Sequence, residues 1–203
     1  MSKGIVIVDY GMGNLCSVEN AFLKNGARVT VSSKPGDIEK AGKIVLPGVG
    51  AFTQAMQELK KRGLAELLKE KISSGVPYLG LCLGLQLLFS QSEEGRRVKG
   101  LGIIPGEVRR FRGDLKVPHI GWNRLSIRAK KCPLLKGVSH QDYFYFVHSY
   151  YAVPEDKSWI ASTTDYGVDF CSSVWKDGLF ATQFHPEKSQ RSGLQLIRNF
   201  IGL

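Results

Sequence analysis

The first half of the chain alternates short apolar runs with longer segments of helical periodicity. Ile5–Val8 is a continuous β-branched run, which is typical of a strand covered on both faces. The spacing of apolar residues predicts further strands near residues 28–31, 44–46 and 76–79 and helices near residues 15–24, 52–59, 64–68 and from 80 through Phe89. Repeated strand–loop–helix units predict a mostly parallel central sheet covered by helices on both faces.

The second half is rich in aromatic and β-branched runs separated by turn residues. These runs predict strands at residues 143–147, 159–163, 168–175 and 179–184, without long helices between them. We expect them to add antiparallel strands to the first sheet. An amphipathic pattern over residues 193–201 predicts a final helix. No repeat or linker interrupts the chain, so the sequence predicts an α/β fold in a single domain over residues 1–203.

The composition is that of a folded protein with an ordinary core. Hydrophobic residues make up 43% and charged residues 23% of the 203 positions, which excludes a disordered chain. The four cysteines show no CxxC spacing, which is typical of reduced thiols and predicts a cytoplasmic protein. Residues 72–92 carry no charge, but Pro77 and several polar residues interrupt them, so we interpret them as buried core and expect no membrane span.

The formal net charge of +10 is higher than usual. A basic excess fits nucleic acid, a phosphorylated substrate or an acidic partner surface. The basic residues are scattered and are not interleaved with stacking aromatics, as they are in RNA-binding sheets. We therefore expect no nucleic-acid partner and interpret the charge mainly as a contribution to solubility.

Gly80, Cys82 and Gly84 form a Gly-x-Cys-x-Gly pattern between a predicted strand and a predicted helix. A nucleophile at such a junction occupies a sharp turn, and the flanking glycines leave room for a strained backbone. The helix N-terminus favours the thiolate, which is the reactive form. The alternative is a small buried cysteine that packs in a strand. The pattern alone leaves both interpretations open.

A candidate base and its carboxylate occur together in His185-Pro186-Glu187. A thiol nucleophile needs an imidazole in reach and an acid to orient it. We expect an extended segment, stiffened by Pro186, with both side chains on one side. A surface turn and a metal site are alternatives, but no third ligand is clustered nearby, so we expect no metal. His148 is the alternative base, although a structural or substrate-positioning role fits it better.

Several motifs, in order along nearly the whole chain, give the sequence a family resemblance. Besides the turn around Cys82, they are residues 9–14 (DYGMGN), 46–50 (LPGVG), 118–123 (PHIGWN), 145–151 (YFVHSYY) and 183–189 (QFHPEKS). As a set they resemble the class I, or triad, glutamine amidotransferases. More narrowly, they resemble the glutaminase subunits of imidazole glycerol phosphate synthases.

The resemblance implies a reaction and a partner. Glutamine is hydrolysed through a γ-glutamyl thioester on Cys82, with His185 as general base and acid and Glu187 as its orienting group. The ammonia passes to a separate barrel-shaped cyclase subunit of a heterodimer in histidine biosynthesis. No cofactor is implied.

The resemblance also implies oxyanion-binding and substrate-binding roles for individual residues. The oxyanion loop corresponds to Gly48 and Val49, which act with the N–H of Leu83. The glutamine is held by Gly50, Gln86, His148, Ser149 and Tyr150, the last three through their backbone. Without Cys82, a plain strand-to-helix turn would be the better interpretation of residues 47–50.

Val49 departs from the wider superfamily, in which many relatives place a glycine at this position. A β-branched residue resists the left-handed backbone conformations that glycine adopts freely. We hypothesise that one oxyanion N–H is misdirected in the isolated subunit and turns inward only with partner and substrate bound.

Trp122, Asn123 and Lys188 are candidate contacts with the partner. An exposed tryptophan is typical of an interface hot spot, whereas a core position for Trp122 and a turn for Asn123 are the alternatives. Lys188 follows the triad acid and reaches either an acidic partner or solvent.

Three competing functions are also compatible with the sequence. The chain could serve another acceptor, such as anthranilate or guanylate synthesis, although the Gly-Trp-Asn segment and the Val49 loop argue against this. It could be a cysteine hydrolase of the same fold that acts on γ-glutamyl bonds without a synthase. It could also be a basic binding module with an inert thiol.

Overall fold

A large mixed β-sheet lies at the centre of the chain. The computed structural model describes residues 4–95 and 97–203, so residues 1–3 and residue 96 of the predicted domain lie outside the described part. The strands in chain order are β1 (Ile5–Val8), β2 (Val29–Ser32), β3 (Lys43–Gly48), β4 (Tyr78–Cys82), β5 (Phe89–Ser92), β6 (Val98–Lys99), β7 (Ile104–Arg110), β8 (His119–Arg124), β9 (Ser126–Ile127), β10 (Tyr143–His148), β11 (Tyr150–Pro154), β12 (Ile160–Asp165), β13 (Asp169–Lys176) and β14 (Leu179–Thr182). The helices are α1 (Leu15–Lys24), α2 (Pro35–Glu39), α3 (Phe52–Lys61), α4 (Leu64–Ser73), α5 (Leu83–Gln86) and α6 (Gln190–Ile201).

Parallel strands form one half of the sheet. Their order is β2-β1-β3-β4-β14, and every neighbouring pair is parallel. Beyond β14 the sheet continues through the antiparallel strands β13, β11 and β7, and β12 pairs with β13. The predicted α/β class, with a parallel core and antiparallel strands from the C-terminal half, is confirmed.

Apolar side chains alternate between the two faces of this sheet, as the pleat of a strand requires. Val6 of β1 belongs to a core cluster that contains Phe52 of α3, whereas Ile7 belongs to a cluster that contains Phe200 of α6. Both phenylalanines are fully buried, and burial of each stabilises the fold by about 1.5–3 kcal/mol. Helices therefore cover both faces, as the sequence predicts.

The apolar run after β4 is divided between a short helix and a strand. α5 ends at Gln86, and the Leu88 carbonyl oxygen accepts hydrogen bonds from the N–H groups of Ile103 and Ile104 at 2.9 and 3.0 Å. This pairing leads into β5, which begins at Phe89 and runs parallel to β7. The prediction of a helix through Phe89 is wrong, because a short apolar run does not distinguish a buried helix from a buried strand.

β8 and β10 form a separate antiparallel pair, here called the β8–β10 ribbon, with His148 opposite His119. The chain leaves this ribbon at Ser149 and enters the main sheet as β11. The prediction that residues 143–147 add to the main sheet is therefore wrong. The strand instead buries alternate side chains, including Phe146, in the core cluster beside the sheet.

Candidate active site

Cys82 occupies a strained turn at the carboxyl end of β4, and it is 6% exposed. Its φ of 53° and ψ of −102° lie in a region that L-residues rarely adopt, at a cost of about 1–3 kcal/mol. A Cβ at Gly80 would approach the Gly84 carbonyl oxygen to 2.6 Å, and one at Gly84 would collide with the Leu46 carbonyl oxygen. The glycine pattern therefore serves close backbone packing. Because α5 is a single turn, its dipole assists the thiolate less than a longer helix would.

His185 and Glu187 form a tight pair on the segment that joins β14 to α6. The His185 Nδ1–H donates to Glu187 Oε1 at 2.7 Å, and the two side chains are 3% and 2% exposed. Pro186–Lys188 is a 3₁₀ turn, so the predicted extended segment is wrong. The turn itself brings the carboxylate to the imidazole.

The imidazole of His185 lies beside the Cys82 sulfur. Burial alone would lower the pKa of the imidazole, but the negative charge and the contact of Cys82, together with Glu187, outweigh it and raise that pKa to about 10. Nε2 of His185 is buried and makes no hydrogen bond within the described residues. Nε2, the ring nitrogen that does not face Glu187, is thus available to the thiol. The raised pKa favours the charged form of the imidazole.

Gln183 also contacts the sulfur. Its Nε2 donates to Cys82 Sγ at 3.6 Å, and its Oε1 accepts from Gln86 Nε2 at 3.0 Å. The residue is fully buried. The sequence does not predict this contact, although the position of Gln183, two residues before His185, indicates that it lies in the same region.

His148 does not offer a ring nitrogen to the sulfur. Its Nδ1 is bonded to the Tyr150 carbonyl oxygen at 2.8 Å, and its Nε2 to His119 Nδ1 at 3.0 Å. Burial lowers the pKa of His148 to about 3. The alternative of His148 as the base is therefore wrong, and a structural or positioning role remains.

A cleft of about 310 Å³ opens beside Cys82, at the lower end of the range for small-molecule sites. Its lining includes the predicted site residues Val49, Gly50, Cys82, Leu83, Gln86, His148, Ser149 and Tyr150, together with Glu94, Pro118 and Val147. Glu94 accepts a hydrogen bond from the Phe52 N–H at 2.8 Å. Glu94 could not be predicted as a cleft residue, because nothing in its local sequence distinguishes it from a surface acid.

The residues of the predicted oxyanion loop differ in environment. A Cβ at Gly48 would collide with the Tyr10 hydroxyl and approach the Leu83 Cβ to 2.9 Å. That hydroxyl, which the sequence analysis missed, is buried and has no hydrogen-bond partner within residues 4–95 and 97–203. Val49 is 39% exposed at the cleft and keeps a negative φ, whereas Gly50 adopts a φ of 97°.

The predicted docking residues lie outside the cleft. Trp122 is 46% exposed, and its ring centroid lies 5.9 Å from that of Tyr145. The Lys188 Nζ lies 5.7 Å from the centre of the same ring, and Asn123 is half-buried. Because the Tyr145 ring is 6.4 Å from that of His185, Trp122 and Lys188 are connected to the imidazole through Tyr145.

The acidic, histidine and cysteine side chains of the described residues are dispersed. Within residues 4–95 and 97–203, no three of them are grouped so as to hold a metal ion. In the same part of the chain, no helix combines the length and the hydrophobicity that crossing a bilayer requires.

Proteins of known family resemble this chain over nearly its whole length. The family described as glutamine amidotransferase class-I matches residues 6–202. The imidazole glycerol phosphate synthase subunit HisH of Syntrophotalea carbinolica is 52% identical over 203 residues, which cover 97% of this chain and 98% of the relative. The subunit of the same name from Moorella thermoacetica is 50% identical over 198 residues, which cover 98% and 94%.

Solved structures of low sequence identity share the fold. One described as a glutamine amidotransferase gives a TM-score of 0.77 at 18% identity and covers 98% of this chain and 100% of the other. PurLQS from Thermotoga maritima gives 0.76 at 16% identity and covers 100% and 99%. From the family match and the full-length relatives, the chain belongs to the class I glutamine amidotransferases, in the group of imidazole glycerol phosphate synthase subunits.

Proposed function

We propose that this chain is the glutaminase subunit of an imidazole glycerol phosphate synthase and hydrolyses glutamine to glutamate and ammonia at Cys82. The observation that carries the proposal is a buried sulfur beside an imidazole that is itself paired with a carboxylate. Membership in the class I amidotransferases supports glutamine as the substrate.

Cys82 acts as the nucleophile in this proposal. The raised pKa of His185 favours an imidazolium beside the sulfur at neutral pH. The thiolate is the form of a cysteine that attacks carbonyl carbons, and a neighbouring positive charge favours it. The sulfur attacks the carboxamide carbon of glutamine, and the carbonyl oxygen becomes an oxyanion. Backbone N–H groups of the Gly48–Val49 loop and of Leu83 are the proposed donors to that oxyanion.

His185 moves the protons. As the tetrahedral intermediate collapses, the imidazolium gives its Nε2 proton to the leaving amine, and ammonia departs from a γ-glutamyl thioester on Cys82. The neutral imidazole then takes a proton from water, whose oxygen attacks the thioester carbon. The second collapse expels the thiolate and releases glutamate, whose new acid group loses its proton to solvent. Glu187, bonded to Nδ1, fixes the imidazole tautomer throughout.

The cleft residues hold the glutamine. Both amide hydrogens of Gln86 are used, one by the Tyr150 carbonyl oxygen at 3.0 Å and the other by Gln183 Oε1 at 3.0 Å. The amide oxygen of Gln86 is therefore the atom left for a donor on the substrate. Gly50, His148, Ser149 and Tyr150 line the same cleft, and the last three are proposed to hold the substrate through their backbone.

The names of the relatives identify a subunit, so the chain works with a partner. We assign the barrel-shaped cyclase that the sequence resemblance implies as that partner, in a cytoplasmic heterodimer that receives the ammonia. The exposed Trp122, with Asn123 and Lys188, is the proposed docking group. Trp122 and Lys188 contact Tyr145, whose ring lies 6.4 Å from that of His185, and this connection supports delivery of ammonia on this side of the site.

A single substitution tests the proposal in the complex. Cys82→Ala should abolish glutamine-dependent synthesis by the pair and leave ammonia-dependent synthesis intact. Cys171→Ala, at a buried position outside the cleft lining, is the matched control and should retain both activities. Persistence of glutamine-dependent synthesis in Cys82→Ala would reject this nucleophile. Full turnover by the lone chain would instead favour a hydrolase that needs no synthase.

A further inference from the structure

Two buried histidines outside the catalytic pair are bonded to each other at the base of the β8–β10 ribbon. His119 and His148 are 3% and 6% exposed, and His119 Nδ1 lies 3.0 Å from His148 Nε2. The Asn123 Nδ2 lies 3.5 Å from His119 Nε2, so the pair reaches the surface segment that carries Trp122.

The direction of every bond in this pair follows from one acceptor. The Tyr150 carbonyl oxygen can only accept, so the His148 Nδ1 that lies 2.8 Å from it carries a hydrogen. In neutral His148, Nε2 must then accept, and His119 Nδ1 must donate. His119 Nε2 is left to accept from the Asn123 amide. Each imidazole therefore has one defined tautomer.

Burial keeps both rings neutral. It lowers the pKa of His119 to about 4 and, with the neighbouring His119, the pKa of His148 to about 3. A second hydrogen on either ring would place two donors face to face. The bonding pattern is thus stable throughout the neutral range.

The same carbonyl connects the histidines to the sulfur. The Tyr150 oxygen accepts a second hydrogen bond from Gln86 Nε2 at 3.0 Å. Gln86 Nε2 also donates to Gln183 Oε1 at 3.0 Å, and Gln183 Nε2 donates to Cys82 Sγ at 3.6 Å. An unbroken line of hydrogen bonds, here called the relay, therefore runs from Asn123 to the nucleophile.

We propose that His119 is a positioning residue, which sets the orientation of Gln86 and Gln183 around Cys82 through this relay and so couples the β8–β10 ribbon to the sulfur. This inference rests on the proposed function for the role of Cys82. The relay cannot carry a proton, because the Tyr150 oxygen accepts from both sides. It transmits orientation: a partner that moves the ribbon changes how the Gln183 N–H points at the thiolate.

Two substitutions at His119 separate its two nitrogens. Asn places an amide nitrogen where His119 Nδ1 lies, so His119→Asn keeps the donor to His148. Gln places its polar end where Nε2 lies, so His119→Gln removes that donor. His140→Gln is the matched control, because His140 is bonded to the Leu125 carbonyl oxygen outside the relay.

The test measures the rate at which iodoacetamide alkylates Cys82 in the lone chain. A purely structural role of His119 would leave this rate unchanged, whereas a positioning role would not. Measured by mass spectrometry at neutral pH in a Cys16→Ser background, which removes the exposed thiol, the rate should fall about tenfold in His119→Gln. That fall corresponds to about 1.4 kcal/mol. The rate should stay within about twofold of the parent in His119→Asn and His140→Gln. In the complex, partner-stimulated glutaminase kcat should fall by the same factor, with ammonia-dependent synthesis unchanged.

Gln183→Met tests the other end of the relay and removes the donor to the sulfur at nearly constant volume. It should lower Cys82 alkylation as much as His119→Gln does, which keeps the test decisive if the His119 variants lose their fold. Equal alkylation rates in His119→Gln, Gln183→Met and the parent would overturn the relay. An equal loss in His119→Asn and His119→Gln would overturn the assigned direction of the bonds. If the parent chain is alkylated at Cys82 but its complex hydrolyses no glutamine, the proposed function fails while the relay test still stands.

Discussion

The backbone strain at Cys82 predicts an unusual response to glycine. Cys82 holds a φ of 53° and a ψ of −102°, which costs an L-residue about 1–3 kcal/mol and costs glycine little. Cys82→Gly should therefore recover that strain energy, whereas Cys82→Ala should not. Both variants lose the sulfur, so the comparison between them isolates the backbone.

The magnitude follows from a matched pair elsewhere in the sheet. Cys171 is equally buried, at 4% exposure, and lies in β13 with a negative φ. There, glycine should be less stable than alanine by about 0.5–1 kcal/mol for its backbone entropy and up to about 0.8 kcal/mol for the lost Cβ. The same penalties apply at Cys82, but relief of strain offsets them. The glycine-minus-alanine difference should thus be about 1–3 kcal/mol more favourable at Cys82 than at Cys171.

Urea unfolding of the four single variants measures this difference directly, provided that the slopes of the transitions agree. A glycine-minus-alanine difference that is the same at both positions would refute the reasoning, because it would mean that the turn at Cys82 stores no strain. The result does not depend on catalysis, since none of the variants needs to turn over substrate.

Three further predictions concern the groups around the sulfur. In Cys82→Ala, the pKa of His185 should fall below about 10, because the charge that raises it is removed, and an NMR titration would read this shift. An unchanged pKa of His185 in Cys82→Ala would contradict this assignment. Val49→Gly should raise glutaminase turnover of the lone chain, by up to the roughly hundred- to thousandfold that one oxyanion donor contributes. Unchanged turnover would contradict the hypothesis that an oxyanion N–H is misdirected in the isolated subunit. Tyr10→Phe should leave the free energy of unfolding unchanged or raise it. The Tyr10 hydroxyl is buried without a hydrogen-bond partner in the described chain, and such a group costs about 1–3 kcal/mol. A loss of more than about 1 kcal/mol in urea unfolding would show that the hydroxyl makes a hydrogen bond.

Local signals were enough to predict the parallel half of the fold. β1 is a β-branched run with all four residues buried, and α1 begins and ends where its apolar spacing indicates. Gly80 and Gly84 are explained by contacts with nearby backbone. In each case the information lies within a few residues of the feature, so a pattern in the sequence records it.

Pairings between distant segments could not be predicted in the same way. Cys82 and His185 meet because β4 and β14 are parallel neighbours, with Leu81 opposite Thr182. Nothing in either segment states this order of strands. The residue types made Cys82 and His185 candidates, and the family resemblance joined them as a pair. The β8–β10 ribbon escaped prediction for the same reason, since a strand's pattern shows its buried face and not its partner. The contact of Gln183 with the sulfur follows from the pairing of β4 with β14, which is why it emerged only from the structure.

The register of three adjacent parallel strands has a practical consequence for engineering. β3 and β4 end together, with Gly48 opposite Cys82, and β14 runs on toward His185 from the same edge. Adjacent strands stand about 4.8 Å apart, so the backbone ladder itself sets the spacing of the proposed reacting groups. The turns at the opposite edge, such as residues 74–77 and 177–178, lie a full strand length away. New chain termini, fluorophores or fused domains introduced there should leave the chemistry untouched, whereas a one-residue insertion within any of these three strands should disable it.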